Sequence, residues 1–192
     1  MHRIYEKFIA WASLKKFVIV LFAELLLLMV IIPVIIPAFK LLAAGYDPFC
    51  VQNDLRATDI YQQLPYYTLE TIRLADLIIA FDLLYFLFQV FGSLLLWAWL
   101  FRINPLPIYD TLAKNHLFGL GVLSAVVALC ESGGFLFLIH AYPNEFMDMA
   151  RHACFLKKAK VIMAVWGLNI LTIIFIIGNI MTRIVRSRRR YW

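Results

Sequence analysis

The stretch Leu74–Phe101, LADLIIAFDLLYFLFQVFGSLLLWAWLF, limits the fold more than any other part of the chain. A hydrocarbon core about 30 Å thick is crossed by about 20 helical residues, and this run exceeds that length. It also carries a carboxylate, Asp82, at depth. An aspartate near the centre of a spanning helix costs roughly 2.5–3.5 kcal/mol on insertion scales. The acid must therefore turn away from lipid. Helical spacing puts Asp82, Tyr85, Phe86, Gln89 and Ser93 on one face, and that face is expected to meet other helices.

The remaining composition agrees with a membrane chain. Its apolar share is 64%, against roughly 45–50% in soluble domains. The net charge of +6 does not point to nucleic acid, because the basic residues sit at the ends of apolar runs, where they flank spans. The sequence predicts one all-α domain over residues 1–192: an integral membrane four-helix bundle with spans at about 17–36, 74–101, 117–142 and 161–182. A short extracytoplasmic helical cap is expected between the first two helices. The lipid bilayer is thus the first partner.

In chain order, the basic N-terminus carries Ile4, Phe8, Trp11 and Leu14 at a spacing that predicts an interfacial helix. Phe17–Ile36 is read as a retained span rather than a signal peptide, because it is long for one and contains Glu24. Pro33 and Pro37 are expected to kink or end it. GYDP reads as a turn, and Thr58–Leu64 as a short helix capped by Thr58 and ended by Pro65. Pro105 and Pro107 mark a tight connection, and Asn144–Lys160 a second outer one. The third span carries Gly119, Gly121, Ser124, Ala125, Ala128 and Ser132, a small-residue side suited to close packing. The N-terminus, the 102–116 connection and the tail hold 4, 2 and 5 Lys and Arg, the other side 3 and 4. That bias places both termini in the cytoplasm, and the layout fits a bacterial inner membrane.

Counting from the outer ends at 1.5 Å per residue, Asp82, Glu131 and Asn169 fall at ~10–17 Å depth and Glu24 at ~18 Å. Each of the four spans thus places a polar group in roughly one layer. The candidate residues of this layer are Glu24, Asp82, Tyr85, Gln89, Glu131, Trp166 and Asn169. No Lys or Arg is expected at that depth, which leaves the acids to be neutral, to share a proton or to bind a cation. His2, His116, His140 and His152 lack metal-ligand spacing, and nucleophile, phosphate and dinucleotide motifs are absent, so no metal or cofactor is expected. Cys50, Cys130 and Cys154 form no CxxC pattern; a Cys50–Cys154 disulfide is one alternative.

Thr58, Tyr61 and Leu64, then Arg73, then AFDLLYFL around Asp82 and Tyr85, resemble a group of small four-span bacterial membrane proteins. CESGGFLFLIHAYP and LKKAKVIMAVWGL are similar to the same group, with Glu131, Tyr142–Pro143 and Lys160 in matching places. The resemblance spans about residues 45–170. It implies the four-span topology and no reaction. Glu131 is flanked by Cys130 and Ser132, where that group has Asp or Asn beside the acid. A fainter likeness, at fold level only, is to four-span sterol isomerases and sterol-binding proteins, in which Glu131, Trp166 and Asn169 would line a pocket.

Three functional readings stand side by side. The first is an accessory or scaffold subunit of a membrane assembly, with a membrane-protein partner or a second copy, and no enzymatic role. The second is a pocket for a lipid-like or sterol-like molecule at the carboxylate layer, with acid/base chemistry at Glu131 and Asp82. The third is a proton or cation path.

Overall fold

Runs this rich in Leu, Ile, Phe and Ala satisfy their backbone groups internally as helices. The computed structural model describes residues 2–103 and 118–188, and the regular structure in them is helical throughout. In order these are α1 (His2–Trp11), α2 (Leu14–Val30), a π-helical segment (Ile31–Ile35) leading into α3 (Ile36–Leu42), α4 (Ala57–Gln63) with a 3-10 turn (Leu64–Tyr66), α5 (Leu69–Ile103) and α6 (Phe118–Ala141). The last are α7 (Met147–Ile162) and α8 (Leu171–Arg188), joined by a second π-helical segment (Met163–Ile170). Four continuous stretches are long and apolar enough to cross a membrane: Leu14–Leu42, Leu69–Ile103, Gly119–Ala141 and Met147–Ile184.

Two of these differ from expectation. Pro33 and Pro37 do not end the first helix, which continues to Leu42. The missing proline N–H groups are absorbed by wider winding: Pro33 lies in the π segment, where the Ile36 N–H reaches back to the Ile31 carbonyl, and Pro37 sits in the first turn of α3. The fourth helix starts at Met147, so most of the expected outer connection 144–160 is helix. Its sequence, MDMARHACFLKKAKVI, is made largely of good helix formers. The second and third spans, expected at 74–101 and 117–142, lie within a few residues of α5 and α6. The connection with Pro105 and Pro107 lies outside the described residues, as does the end of the basic tail.

After Leu42 the chain reverses through Ala44 (φ 50°) and Gly45 (φ 89°), with the Gly45 N–H donating to the Lys40 carbonyl at 2.9 Å. A glycine suits this left-handed helix end. Further on, Arg56, not Thr58, begins α4: the Asp59 carboxylate accepts the Arg56 N–H at 2.9 Å.

Contacts gather into two compact units. The first comprises Met1–Phe22, Gln89–Ser124 and Ile162–Trp192. There Phe8 and Ile9 of α1 pack on Ala12, Leu95 and Ala98. Lys16 donates to the Trp11 carbonyl (2.7 Å) and Arg102 to that of Ala10 (3.1 Å), so two cations satisfy the open C-terminal end of α1. The Trp97 indole donates to Thr172 Oγ1 (2.7 Å), and the Asn179 amide to the Leu100 carbonyl (3.1 Å).

The second unit comprises Ala23–Phe88 and Ala125–Val161. One buried cluster joins Ile31, Ile35 and Phe39, the connection residues Phe49, Leu55, Ile60 and Leu64, Ile78 and Ile79 of α5, Phe135 and Leu138 of α6, and Ala150 and Ala153 of α7. Phe49 stacks on Tyr67, with ring centroids 5.6 Å apart.

The small residues of α6 are mostly spent inside the chain. Gly121, Ser124, Ala128 and Ser132 are buried, and a Cβ on Gly134 would stand 3.2 Å from that of Ala153. A Cβ on Gly133 meets nothing within 4 Å. Gly134→Val is expected to lose about 1–3 kcal/mol by overpacking, and Gly133→Ala to lose nothing, both read from unfolding in detergent.

Candidate functional site

The second unit contains a cluster of buried charge. Lys160, on α7, reaches Asp82 Oδ2 of α5 at 2.5 Å and also pairs with Glu131 Oε2 of α6. Glu131 is 1% exposed and Lys160 6%. The ammonium lies 5.7 Å from the centre of the Phe86 ring, an arrangement that adds a cation–π contribution. The expectation that no cation stands at the level of the acids is therefore overturned. Lys160 is three residues from Lys157 on the same helix face, and both are buried.

Lys157 serves a different purpose: its ammonium donates to the backbone carbonyls of Phe49 and Gln52. That segment is braced again by Gln52 and Gln63, whose side-chain amides exchange hydrogen bonds at 2.9 and 3.1 Å. The Tyr61 hydroxyl accepts the N–H of Phe146 at 2.6 Å. At the edge of the unit, His140 Nε2 lies 3.0 Å from Asp76 Oδ1.

The candidate layer divides accordingly. Glu24, Asp82, Tyr85 and Glu131 fall in the second unit. Gln89, Trp166 and Asn169 fall in the first, where Gln89 Nε2 donates to Asn169 Oδ1 at 3.3 Å. Trp166 does not join them; it is 66% exposed. It lies within the Met163–Ile170 π segment, whose slower winding breaks the 3.6-residue face that aligned it with Asn169 and Thr172.

Sequence reasoning noted Lys160 only as a position of the resemblance and missed that it and Lys157 are buried, Lys160 against the acids. The signal was available: two buried acids need a cation, and the nearest Lys residues bordering an apolar run stand one helical turn apart.

Among the described residues, no group of three His, Cys, Asp or Glu side chains is placed to hold a metal ion. Cys50, Cys130 and Cys154 are free thiols. Burial, with the charge of Asp82 next, pushes the Cys50 thiol from 9.0 up to about 12, against the pull of Lys160 and Lys157. Burial also raises the Tyr67 hydroxyl.

Taken together, the arrangement can hold helices and a connection in register by charge. The Asp82 carboxylate accepts a hydrogen bond from the Lys160 ammonium, and the Glu131 carboxylate stands in an ion pair with the same group.

Removing one partner of a buried pair leaves an uncompensated charge. Lys160→Met is therefore expected to destabilise the protein by about 3–5 kcal/mol. Adding Asp82→Asn and Glu131→Gln to it should restore most of the loss, as read by denaturant unfolding in detergent. For Cys50, the unfolded chain releases its proton first as pH rises. Its contribution is whole below 9.0 and lost as pH climbs toward about 12. Iodoacetamide at mildly alkaline pH should alkylate Cys50 only after unfolding, as followed by mass spectrometry.

No protein-family model, curated protein or solved structure matches the chain.

Proposed function

We propose that this chain is an integral membrane protein in which all four long helices span the bilayer as a bundle, capped at the extracytoplasmic end by the connection after Leu42, and that it acts as a small accessory or scaffold subunit of a membrane assembly. The observation that carries this reading is the pairing of Lys160 with both Asp82 and Glu131. A carboxylate meant for acid/base work needs access to a substrate proton. Here both acids are paired with an internal cation, and their effect is to fix helices to one another.

The same pairing supports the orientation with both termini in the cytoplasm of a bacterial cell. Lys157 and Lys160 are buried, so they drop out of the charges counted on the outer side, leaving five Lys and Arg outside against eleven inside. With the small residues of α6 turned inward, a membrane-protein partner or a second copy would meet its larger apolar side chains. Val126, Leu129 and Phe137 are exposed there.

A second reading, a pocket for a lipid-like molecule, has one observation in its favour. Glu131 Oε1 and the Ser132 hydroxyl are buried without a hydrogen-bond partner among the described residues, and buried polar groups are rarely left so.

Native mass spectrometry on protein gently extracted from its own membrane separates the two. A second polypeptide, retained equally by the wild type and by Glu131→Gln, is the expected result. A stoichiometric small-molecule adduct that disappears in Glu131→Gln would replace the scaffold reading with the pocket.

A further inference from the structure

The turn between α1 and α2 brings two cations to one place. Ser13 caps α2: its Oγ accepts the Lys16 N–H at 3.3 Å, and its carbonyl accepts the Phe17 N–H at 3.1 Å. Lys16 thus sits in the first turn of α2, and its side chain reaches back to α1. Its ammonium donates to the Trp11 carbonyl at 2.7 Å and lies 3.5 Å from the centre of the Trp11 ring. Arg102, next to the last residue of α5, donates to the Ala10 carbonyl at 3.1 Å. Consecutive carbonyls at the end of α1 therefore hold an ammonium and a guanidinium. Among the described residues neither cation is paired with a carboxylate; the ion pairs there lie elsewhere. Each of these groups has more donors than one carbonyl takes, so both keep donors and a whole charge for an anion.

The surroundings select the anion. Phe8 and Ile9 of α1 are spent on Ala12, Leu95 and Ala98, so protein contacts, not insertion into lipid, hold the apolar side of α1. Beside the cations, Trp11 is half exposed, and Leu14 and Val18, one turn apart, continue as exposed side chains along the first apolar stretch. Lys15 is exposed next to them. Lys16 stands two residues from the start of Leu14–Leu42, and Arg102 one residue from the end of Leu69–Ile103. On the spanning reading, both cations stand where an apolar stretch ends, the level at which phospholipid headgroups lie. The positive end of the α2 dipole lies at the same level.

We propose that Lys16 and Arg102 form a binding site for the phosphodiester of an anionic phospholipid of the cytoplasmic leaflet, with Trp11 beside the headgroup and Leu14 and Val18 along an acyl chain. An ammonium and a planar guanidinium both make charge-assisted hydrogen bonds to phosphate oxygens. A headgroup that carries its own cation, such as choline, is repelled by Lys15 and by the pair itself. The site rests on the spanning reading and is independent of the scaffold role.

Native mass spectrometry tests it on the full chain, reconstituted with equal amounts of phosphatidylglycerol and phosphatidylcholine and released from detergent. One retained phosphatidylglycerol per chain, preferred roughly tenfold over phosphatidylcholine, is the expected result. Lys16→Gln combined with Arg102→Gln should abolish that preference. No preference in the wild type, or an unchanged one in the double variant, overturns the proposal. Excess inorganic phosphate should leave the lipid in place; replacement of the lipid by bare phosphate overturns the assignment to lipid. If the double variant does not fold, the wild type carries the test. Phosphatidylglycerol with a photoreactive diazirine in its headgroup should then label residues between Trp11 and Lys16, and labelling confined to the basic tail overturns the proposal. Release of the chain from its membrane by alkaline carbonate would overturn the spanning reading, and the site with it.

Discussion

A charge inside a low-dielectric medium is tolerated only beside its opposite, and the second unit is arranged around that requirement. Two acids on α5 and α6 and one ammonium on α7 meet there, beside the Phe86 ring. The pairing costs desolvation that its Coulomb energy repays only with good geometry. Its larger contribution is specificity: a helix that slides or rotates by a turn strands a charge. The apolar cluster beneath supplies most of the burial but little choice of register, since Leu, Ile and Phe pack in many ways.

Lys157 extends the same logic to the connection. Backbone carbonyls of an irregular segment need donors wherever water is scarce. The Phe49 and Gln52 carbonyls take theirs from a lysine on α7, and the reciprocal Gln52–Gln63 amides close the segment on itself. One face of α7 therefore serves both the acids of two helices and the backbone of a third segment, which explains why its lysines are buried.

The helices themselves were legible in the sequence, because length and hydropathy dominate a spanning segment and leave little to tertiary context. Asp82 and Glu131 were legible for the same reason: a charge among leucines stands out. What the sequence hid was the partner. Lys160 lies in a stretch of mixed character with Asp148, Arg151, His152 and Lys158, where composition reads as loop. Its good helix formers are masked, in a reading by hydropathy, by the charges among them. The π segments were hidden as well. Pro33 announces an interruption but not whether the chain answers by breaking or by widening, and nothing in MAVWGLNI announces the second segment at all. The outward placement of Trp166 follows from that blind spot, since a face drawn at 3.6 residues per turn no longer holds where the winding changes.

The position of Lys160 late in the chain has a consequence for biogenesis. On the spanning reading, the helices bearing Asp82 and Glu131 leave the ribosome before the helix bearing their cation. Until residue 160 has been synthesised, each acid must wait either protonated or sheltered within the insertion machinery, because lipid offers it no counter-ion. Assembly is therefore completed from the C-terminal side. A chain ending before α7 would keep three of its long apolar stretches, yet it would carry two carboxylates without their cation.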